Sequence, residues 1–330
     1  MWQKISNKTV KIIMKYFLKY YGMSRDIKRL DFEPDLSGRN FRKSSGLMAI
    51  YIDFEKFDMK PFIINRMILR VTLVFIKMME SIKRARKAYI NELSFPARSK
   101  NPVSKEFWDE VVKKAESLGI GVIGLAPVEE DFMFVNDHSA GIDRLYENGI
   151  VLGMEMDFEA IETSPGPRAG LEALNIYGKL GIATNKLADF IRDKGHNAIA
   201  CHPFGGPILY PAMAVRAGMG EVGKSGLLLT KKYGPRQRLA MVATDASPLP
   251  ETPGNDSKIT KFCEKCGKCV EACPGKAILD DPILKEKGLF TRIDSDKCSN
   301  YFYPYDSCSI CIKVCPFHRK TRHASPVNNS

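Results

Sequence analysis

The sequence is dominated by two cysteine-rich stretches, FCEKCGKCVEACPG at residues 262–275 and CSICIKVCP at residues 308–316. The first has the spacing C-x2-C-x2-C-x3-C-P, and Cys298 lies between the two. A secreted protein of this size would more often scatter its cysteines as disulfides, whereas eight of the nine cysteines here lie between Cys263 and Cys315. Closely spaced thiolates are typical ligands of iron–sulfur clusters in a reducing compartment.

The same spacing occurs in bacterial two-cluster ferredoxins, in which the fourth cysteine of each run binds the other cluster. By that rule we expect two [4Fe–4S] clusters. The first would be held by Cys263, Cys266, Cys269 and Cys315, and the second by Cys273, Cys298, Cys308 and Cys311. Cys298 departs most from a simple repeat, because nine residues separate it from Cys308. Zinc sites are the main alternative, but they do not need a three-cysteine run followed by Cys-Pro and do not normally share ligands crosswise.

The charge of the chain is concentrated in its first third. The 330 residues carry a formal net charge of +12, and 44% are hydrophobic, which suffices for a real core and excludes a disordered chain. Residues 1–100 contain 22 Lys and Arg against 9 Asp and Glu, a net of +13, so the remainder is close to neutral. Such asymmetry indicates a segment that contacts a membrane, a nucleic acid or an acidic partner.

Two amphipathic helices are predicted in this basic region. Lysines recur every three or four residues through Met1–Tyr21 without a signal peptide's apolar centre or a twin-arginine pair. Ile63–Met79 is apolar but interrupted by three basic residues, so we expect a helix that continues into the basic run 83–87, not a membrane span. Residues 1–95 could anchor the protein at a membrane surface, dock an acidic electron carrier or RNA, or simply pack on the main domain. We therefore expect a cytoplasmic protein, either free or peripheral at the inner membrane surface.

Proline-rich segments divide the chain into three predicted domains. These are a basic helical extension and linker (1–100), an α+β domain (101–250) and a dicluster domain (251–330). Apolar periodicity in the middle domain predicts helices at Phe107–Leu118 and Leu171–Lys194, the latter capped by Gly195, and strands at Ile120–Leu125, Ile150–Met156, Asn197–Cys201 and Leu239–Thr244. The alternation of helices and strands places this domain among mixed architectures.

The segment Gly218–Ser225 matches both the phosphate-loop pattern G-x-x-x-x-G-K-[ST] and G-x-G-x-x-G. A phosphate loop leaves a strand and opens a helix. Here Ala212–Ala217 is predicted to be helical and Leu227–Thr230 extended, which argues against an ATPase. We expect instead that the glycines let the backbone approach a large flat ligand.

The glycine segment, together with Tyr233-Gly234, Arg238, Thr244-Asp245 and the eight-cysteine module, resembles the core of corrinoid-dependent reductive dehalogenases over about residues 110–318. Epoxyqueuosine reductases are the related tRNA-modifying branch. The resemblance implies a flavin-reductase-like (nitroreductase-like) corrinoid-binding core and a ferredoxin-like two-cluster module, here preceded by the basic helical extension. An export signal of the twin-arginine type and the acidic catalytic segment of the epoxyqueuosine branch are not found.

The resemblance also implies roles for individual residues. Cobalamin would lie against the glycine segment and the loop after a strand; the cofactor-binding candidates are Gly218, Gly220, Gly223, Lys224, Ser225 and His202. A tyrosine at the start of a helix would donate a proton, and Tyr177 fits that position better than Tyr210. A phenol holds its proton at neutral pH unless a cation lies nearby, and Arg236 and Arg238 are the candidates. His138, in the loop Asn136–Gly141, is predicted not to bind cobalt.

In the reaction that the resemblance implies, a small acidic ferredoxin or flavodoxin donates electrons to the first cluster. They pass to the second cluster and on to cobalt, and a small-molecule substrate loses a leaving group. Two alternatives stay open. The basic region could bind the phosphates of tRNA, as in a tRNA-modifying reductase, or the chain could be a dicluster electron-transfer protein without corrinoid.

Overall fold

The computed structural model describes residues 68–93, 102–133, 145–204, 206–251, 258–284, 290–302 and 308–318. The predictions for the helix at Met1–Tyr21 and for the loop with His138 lie outside these residues. The remaining predictions can be compared with the structure element by element.

The described residues form eight strands and nine α-helices, with a short 3-10 helix at Glu130–Phe132. The strands are β1 (Val122–Pro127), β2 (Asn148–Glu155), β3 (Ala198–Cys201), β4 (Gly220–Val222), β5 (Leu228–Thr230), β6 (Gln237–Thr244), β7 (Ile278–Leu284) and β8 (Phe290–Ile293). The helices are α1 (Ile68–Leu93), α2 (Lys105–Ser117), α3 (Phe158–Glu162), α4 (Pro167–Asp193), α5 (Tyr210–Arg216), α6 (Lys258–Cys266), α7 (Lys268–Glu271), α8 (Ser295–Phe302) and α9 (Ile310–Lys313).

The core is a four-stranded antiparallel sheet in the order β1-β2-β6-β3. Both faces are buried, because alternate residues of each strand enter two apolar clusters. Ile150 and Val242 pack towards α4, whereas Val151 and Met241 pack towards α5. The predicted mixed helix and strand architecture is confirmed, and the four predicted strands are present with boundaries shifted by one or two residues.

The long helix α4 begins four residues before its predicted start, because Pro167 occupies the first turn, where the missing amide of proline costs no hydrogen bond. It ends where predicted. Gly195 follows its C-terminal cap with φ of +93°, a left-handed conformation that glycine adopts without strain.

Helix α1 packs its apolar face on α4 and β3. Its buried residues are Phe75, Met78, Met79, Ile82, Ala85 and Tyr89. Arg70, Lys77 and Lys87 lie on its exposed face. The part of the basic region that the structure describes is thus an amphipathic helix, as predicted, and it covers the sheet domain. Among the described residues, no helix is long and apolar enough to cross a membrane.

A buried histidine ties α1 to the sheet domain. The amide of Phe204 donates to Nδ1 of His202 at 3.0 Å, so Nε2 carries the proton and donates to Oγ of Ser81 at 2.7 Å. Ser81 Oγ in turn donates to the Met78 carbonyl. A Cβ at Gly181 would lie 2.0 Å from His202 Nε2, so this glycine of α4 is required for the histidine to fit.

The segment Gly218–Ser225 forms a turn and the first strand of the β4–β5 hairpin. It follows the end of α5 and leads into extended chain, as predicted. The strand-to-helix context of a phosphate loop is therefore not met.

The cysteine-rich part, called the cysteine module below (within residues 258–318), consists of short helices and one hairpin. Helices α6 and α7 carry the first cysteine run, β7 and β8 pair as an antiparallel hairpin, and α8 and α9 carry the later cysteines. Helix α9 contacts α7 and α3, so this part packs both on itself and on the sheet domain.

We predict that Gly181→Ala destabilises the protein by about 1–3 kcal/mol, because the added methyl group displaces His202 from Ser81. The control is Gly178→Ala, one turn earlier, where the nearest atoms to an added Cβ lie at 3.8 Å. That variant should be neutral or slightly stabilising through helix propensity. Thermal unfolding of the two variants tests this, and equal melting temperatures would contradict the packing described.

We also predict that His202 makes stability depend on pH. Burial lowers its pKa from 6.5 to about 3, partly opposed by the Phe204 carbonyl oxygen, which lies 3.2 Å from Nδ1. The unfolded chain therefore binds a proton below pH 6.5 that the folded chain does not, so stability falls as pH falls below 6.5. The melting temperature of the wild type should drop between pH 7.5 and 5.5, and that of His202→Gln should drop less. An equal drop in both proteins would disprove this role.

Candidate functional site

The structure brings the first predicted ligand set together around one pocket. Cys263, Cys266, Cys269 and Cys315 line it, with Phe262 and Phe317 at its side. Burial raises the pKa of the Cys269 thiol to about 11, and the neighbouring charges of Cys263, Cys315 and Cys266 add to the shift. Four thiols from two distant stretches of sequence thus surround one space.

The second predicted set is also assembled. Burial raises the pKa of the Cys311 thiol to about 12, with further contributions from Cys308, Cys298, Cys269 and Cys273. Cys298 is an exposed residue, yet burial of its thiol raises the pKa to about 11, and Cys273 and Cys308 add to the shift. The structure therefore places Cys298 with its predicted partners.

The two sets adjoin each other. Cys311 of the second set also lines the pocket of the first, and it interacts electrostatically with Cys269. Among the described residues, no three His, Cys, Asp or Glu side chains converge on a single metal position. The thiols line a wider space instead, and soft thiolates around such a space fit iron–sulfur clusters.

Backbone amides point at two of these sulfurs. The Lys224 amide donates to Sγ of Cys263 at 3.2 Å, and the Ala277 amide donates to Sγ of Cys273 at 3.3 Å. Such N–H···S hydrogen bonds stabilise the thiolate form that a cluster requires and tune its potential. The donor sets and their amides therefore fit two clusters.

The glycine segment lies against its own hairpin and against a cysteine of the first thiol set. A Cβ at Gly223 would lie 2.7 Å from the Leu229 side chain and 3.3 Å from Cys263 Sγ, and one at Gly220 would lie 2.1 Å from the Leu229 carbonyl. Ser225 lines the pocket of the first thiol set. Gly223 and Ser225 therefore approach the first thiol set, and Gly220 approaches its own hairpin.

Tyr177 and Arg238 lie together on the α4 side of the sheet. The guanidinium carbon of Arg238 lies 4.8 Å from the centroid of the Tyr177 ring, a cation–π contact. Phe204 contacts the same ring edge-on, with centroids 5.7 Å apart. Nε of Arg238 is buried without a hydrogen-bond partner among the described residues, and a bound polar group commonly satisfies such a donor. Tyr177 is only partly buried, so a small molecule can reach it.

Arg236, the other predicted cation, has a different environment. Its side chain is fully buried, and Nη1 donates to the Glu155 carboxylate and the Met156 carbonyl, both at 2.5 Å. Its guanidinium also lies 5.5 Å from the Phe158 ring. Arg236 is thus held in the core and not at Tyr177.

His202 and Tyr210 are buried together. The Tyr210 hydroxyl donates to the His202 carbonyl at 2.8 Å, and burial raises its pKa. With His202 bonded to Ser81, both side chains point into the protein. The structure therefore gives His202 a structural environment in place of the predicted cofactor contact, and it favours Tyr177 over Tyr210 as a proton donor.

Three residues of the cysteine module make contacts with the sheet domain that the sequence did not predict. The Ser309 amide donates to Oγ of Ser164 at 2.7 Å, and Lys313 Nζ donates to the Ser164 carbonyl at 3.1 Å. His318 pairs with Glu162 at 2.9 Å and stacks on Phe158. No periodic signal marks these residues; only their position next to cysteines could have suggested them.

Comparison with known proteins confirms the predicted resemblance. Residues 262–318 match the family model of the 4Fe-4S dicluster domain. The chain is 34% identical over 225 residues to a tetrachloroethene reductive dehalogenase of Desulfitobacterium hafniense, covering 64% of this chain and 39% of that protein. It is 30% identical over 129 residues to an epoxyqueuosine reductase of Atelocyanobacterium thalassa, covering 36% and 41%. The chain thus spans about two fifths of the length of these relatives.

Solved structures share the fold. A catabolic reductive dehalogenase superposes with a TM-score of 0.57 at 22% identity, covering 64% of this chain and 32% of that one. Another reductive dehalogenase structure, described as suggesting a mechanism for B12-dependent dehalogenation, superposes with a TM-score of 0.60 at 18% identity, covering 74% of this chain and 37% of that one. At these identities the likeness establishes the fold alone.

We predict that Cys298→Ala lowers the iron content of the reconstituted protein from about eight to about four per chain, because the second thiol set loses a ligand. Cys201→Ala is the control, since Cys201 is buried on β3 outside both sets. Iron and sulfide analysis with electron paramagnetic resonance measures both. Full iron content in Cys298→Ala would mean that Cys298 is not a ligand.

Proposed function

We propose that this chain is an iron–sulfur, corrinoid-dependent reductase that removes a leaving group, in the first place a halide, from a small organic molecule. The observation that carries the proposal is the contact between Tyr177 and Arg238. Both residues are partly buried in the sheet domain, and the two cysteine sets are joined to this same domain. The predicted domains, 101–250 for corrinoid and substrate and 251–330 for the clusters, belong to the same proposal.

The similar proteins support this class of reaction. The relatives at 33–34% identity are named for reducing tetrachloroethene, and their similarity to this chain extends over 201–225 residues. The similarity to epoxyqueuosine reductases extends over fewer residues. Reductive removal of a halide is therefore the better supported form of the reaction.

The net reaction converts a carbon–halogen bond into a carbon–hydrogen bond. It takes up two electrons and one proton, and the halide leaves with the electron pair of the broken bond. When bound, the clusters would pass single electrons to the corrinoid, whose cobalt would supply the chemistry of bond cleavage. The eight thiolates hold the clusters, and the Lys224 and Ala277 amides stabilise two of them.

Tyr177 is the proposed proton donor. Its hydroxyl holds the proton that the carbon receives, and Arg238 places positive charge against the ring that becomes negative when the proton leaves. Phe204 packs against the ring and limits its rotation.

The corrinoid part of the proposal rests on the relatives and on the fold, because the glycine segment lies against the first thiol set. Reconstitution with iron, sulfide and cobalamin, followed by metal analysis and an optical spectrum, tests it. About one cobalt per chain beside the irons supports the reductase. Iron–sulfur absorption without cobalt bands would identify an electron-transfer protein, and tight tRNA binding at low salt would favour a tRNA-modifying enzyme.

We predict that Tyr177→Phe lowers the turnover of a halogenated substrate by about 100-fold or more, with iron and cobalt contents unchanged, because the proton donor is lost. Tyr210→Phe is the matched control. It removes the same hydroxyl from a buried residue and should alter stability but not turnover. Full turnover in Tyr177→Phe would remove this residue from the mechanism.

A further inference from the structure

We propose that helices α6 and α7 form the docking surface for a small acidic protein that carries single electrons. Phe262 lies at its centre, and Lys261, Lys265 and Lys268 surround it. The inference rests on the proposed iron–sulfur function and adds the place where electrons enter.

Phe262 is an exposed aromatic residue beside a cluster ligand. It is 49% exposed although it directly precedes Cys263 and lines the pocket of the first thiol set. Its ring meets Phe317 edge-on, with centroids 5.4 Å apart, which holds it in place at the surface. Fixed aromatic side chains of this kind are typical of the central contacts of protein interfaces.

The surface around Phe262 is basic. Lys261, Lys265 and Lys268 are exposed, and Lys261 and Lys265 are one helical turn apart on α6. Residues 258–276 contain five lysines and two glutamates, a net of +3. Because residues 101–330 together are close to neutral, this charge is a local feature of the cluster surface.

A redox protein is the partner that this combination fits. Electrons reach a cluster fastest where its ligands lie close to the surface, and positive charge there attracts a carrier with a negative face and orients it. The exposed basic face of α1 lies on the side of that helix opposite to the apolar face that packs on α4 and β3. The α6–α7 surface, in contrast, places three exposed lysines beside ligands of the first thiol set.

The step is a one-electron exchange. The reduced carrier is oxidised by one electron, and the cluster held by Cys263, Cys266, Cys269 and Cys315 is reduced by that electron. No atom or proton is transferred, and the carrier then dissociates.

The test uses the cluster-loaded protein and a reduced plant-type [2Fe–2S] ferredoxin as the acidic probe. Reduction of the clusters is followed by stopped-flow absorption without substrate. We expect the triple variant Lys261→Gln, Lys265→Gln, Lys268→Gln to lower the second-order rate about tenfold at low ionic strength and to weaken its salt dependence. The matched control, Arg70→Gln, Lys77→Gln, Lys87→Gln, removes the same charge from α1 and should change little.

A second pair of variants tests the apolar centre. Phe262→Ser should weaken ferredoxin binding several-fold, whereas Leu284→Ser, at a 76% exposed leucine of β7, should not. Reduction by dithionite, which needs no docking, should proceed equally in the wild type, in both charge variants and in Leu284→Ser. The proposal is overturned when the α1 variant slows the reaction more than the α6–α7 variant, or when ferredoxin reduces the wild type and the α6–α7 variant at the same rate.

These outcomes are separate from those of the proposed function. A protein whose clusters accept electrons at this surface but which converts no halogenated substrate would contradict the function and leave the docking surface standing. Suppose instead that turnover with a chemical reductant is normal and that the rate of cluster reduction by ferredoxin is the same with and without these lysines. That result would contradict the docking surface alone.

Discussion

The hydrogen bond from the Lys224 amide to Cys263 Sγ joins the two parts of this molecule. It requires the backbone of a hairpin in the sheet domain to lie against a sulfur of the cysteine module, and Gly223 permits that approach because a side chain there would meet both Leu229 and Cys263. The glycines thereby position the first thiol set on the sheet domain.

The cysteine spacing predicts most of the site because it is a local code. Runs of C-x2-C place thiols on successive turns. In the same arrangement the fourth cysteine of each run binds the cluster of the other run. The long-range grouping of Cys315 with Cys263 and of Cys298 with Cys273 could therefore be predicted without a structure. The strands and helices of the sheet domain could also be predicted from the sequence. Because both faces of the sheet are buried, its strands are continuous runs of apolar residues.

The sequence could not decide between two candidate cations for Tyr177, because both fit the same strand periodicity. Arg236 directly precedes β6 and Arg238 is its second residue, so a two-residue periodicity assigns both side chains to the same face. Only the structure reveals that Tyr177 lies opposite Arg238, while Glu155 and Phe158 surround Arg236. His202 is a similar case. A histidine after a strand could face a pocket, but Gly181 leaves a space on α4 that its ring fills.

The contacts that hold the module on the sheet domain are adjacent to its ligands. Ser309 follows Cys308, Lys313 lies between Cys311 and Cys315, and His318 follows three residues after Cys315. Burial raises the pKa of several of the thiols, so binding of the proposed clusters would release protons and turn buried thiols into bound thiolates. Cluster binding and docking of the module thus act on the same short helices. The cysteines lie close in sequence to Ser309 and His318, which contact the sheet domain. These contacts determine which side of the module faces the sheet. Phe262 and the neighbouring lysines of α6 and α7 lie at the surface.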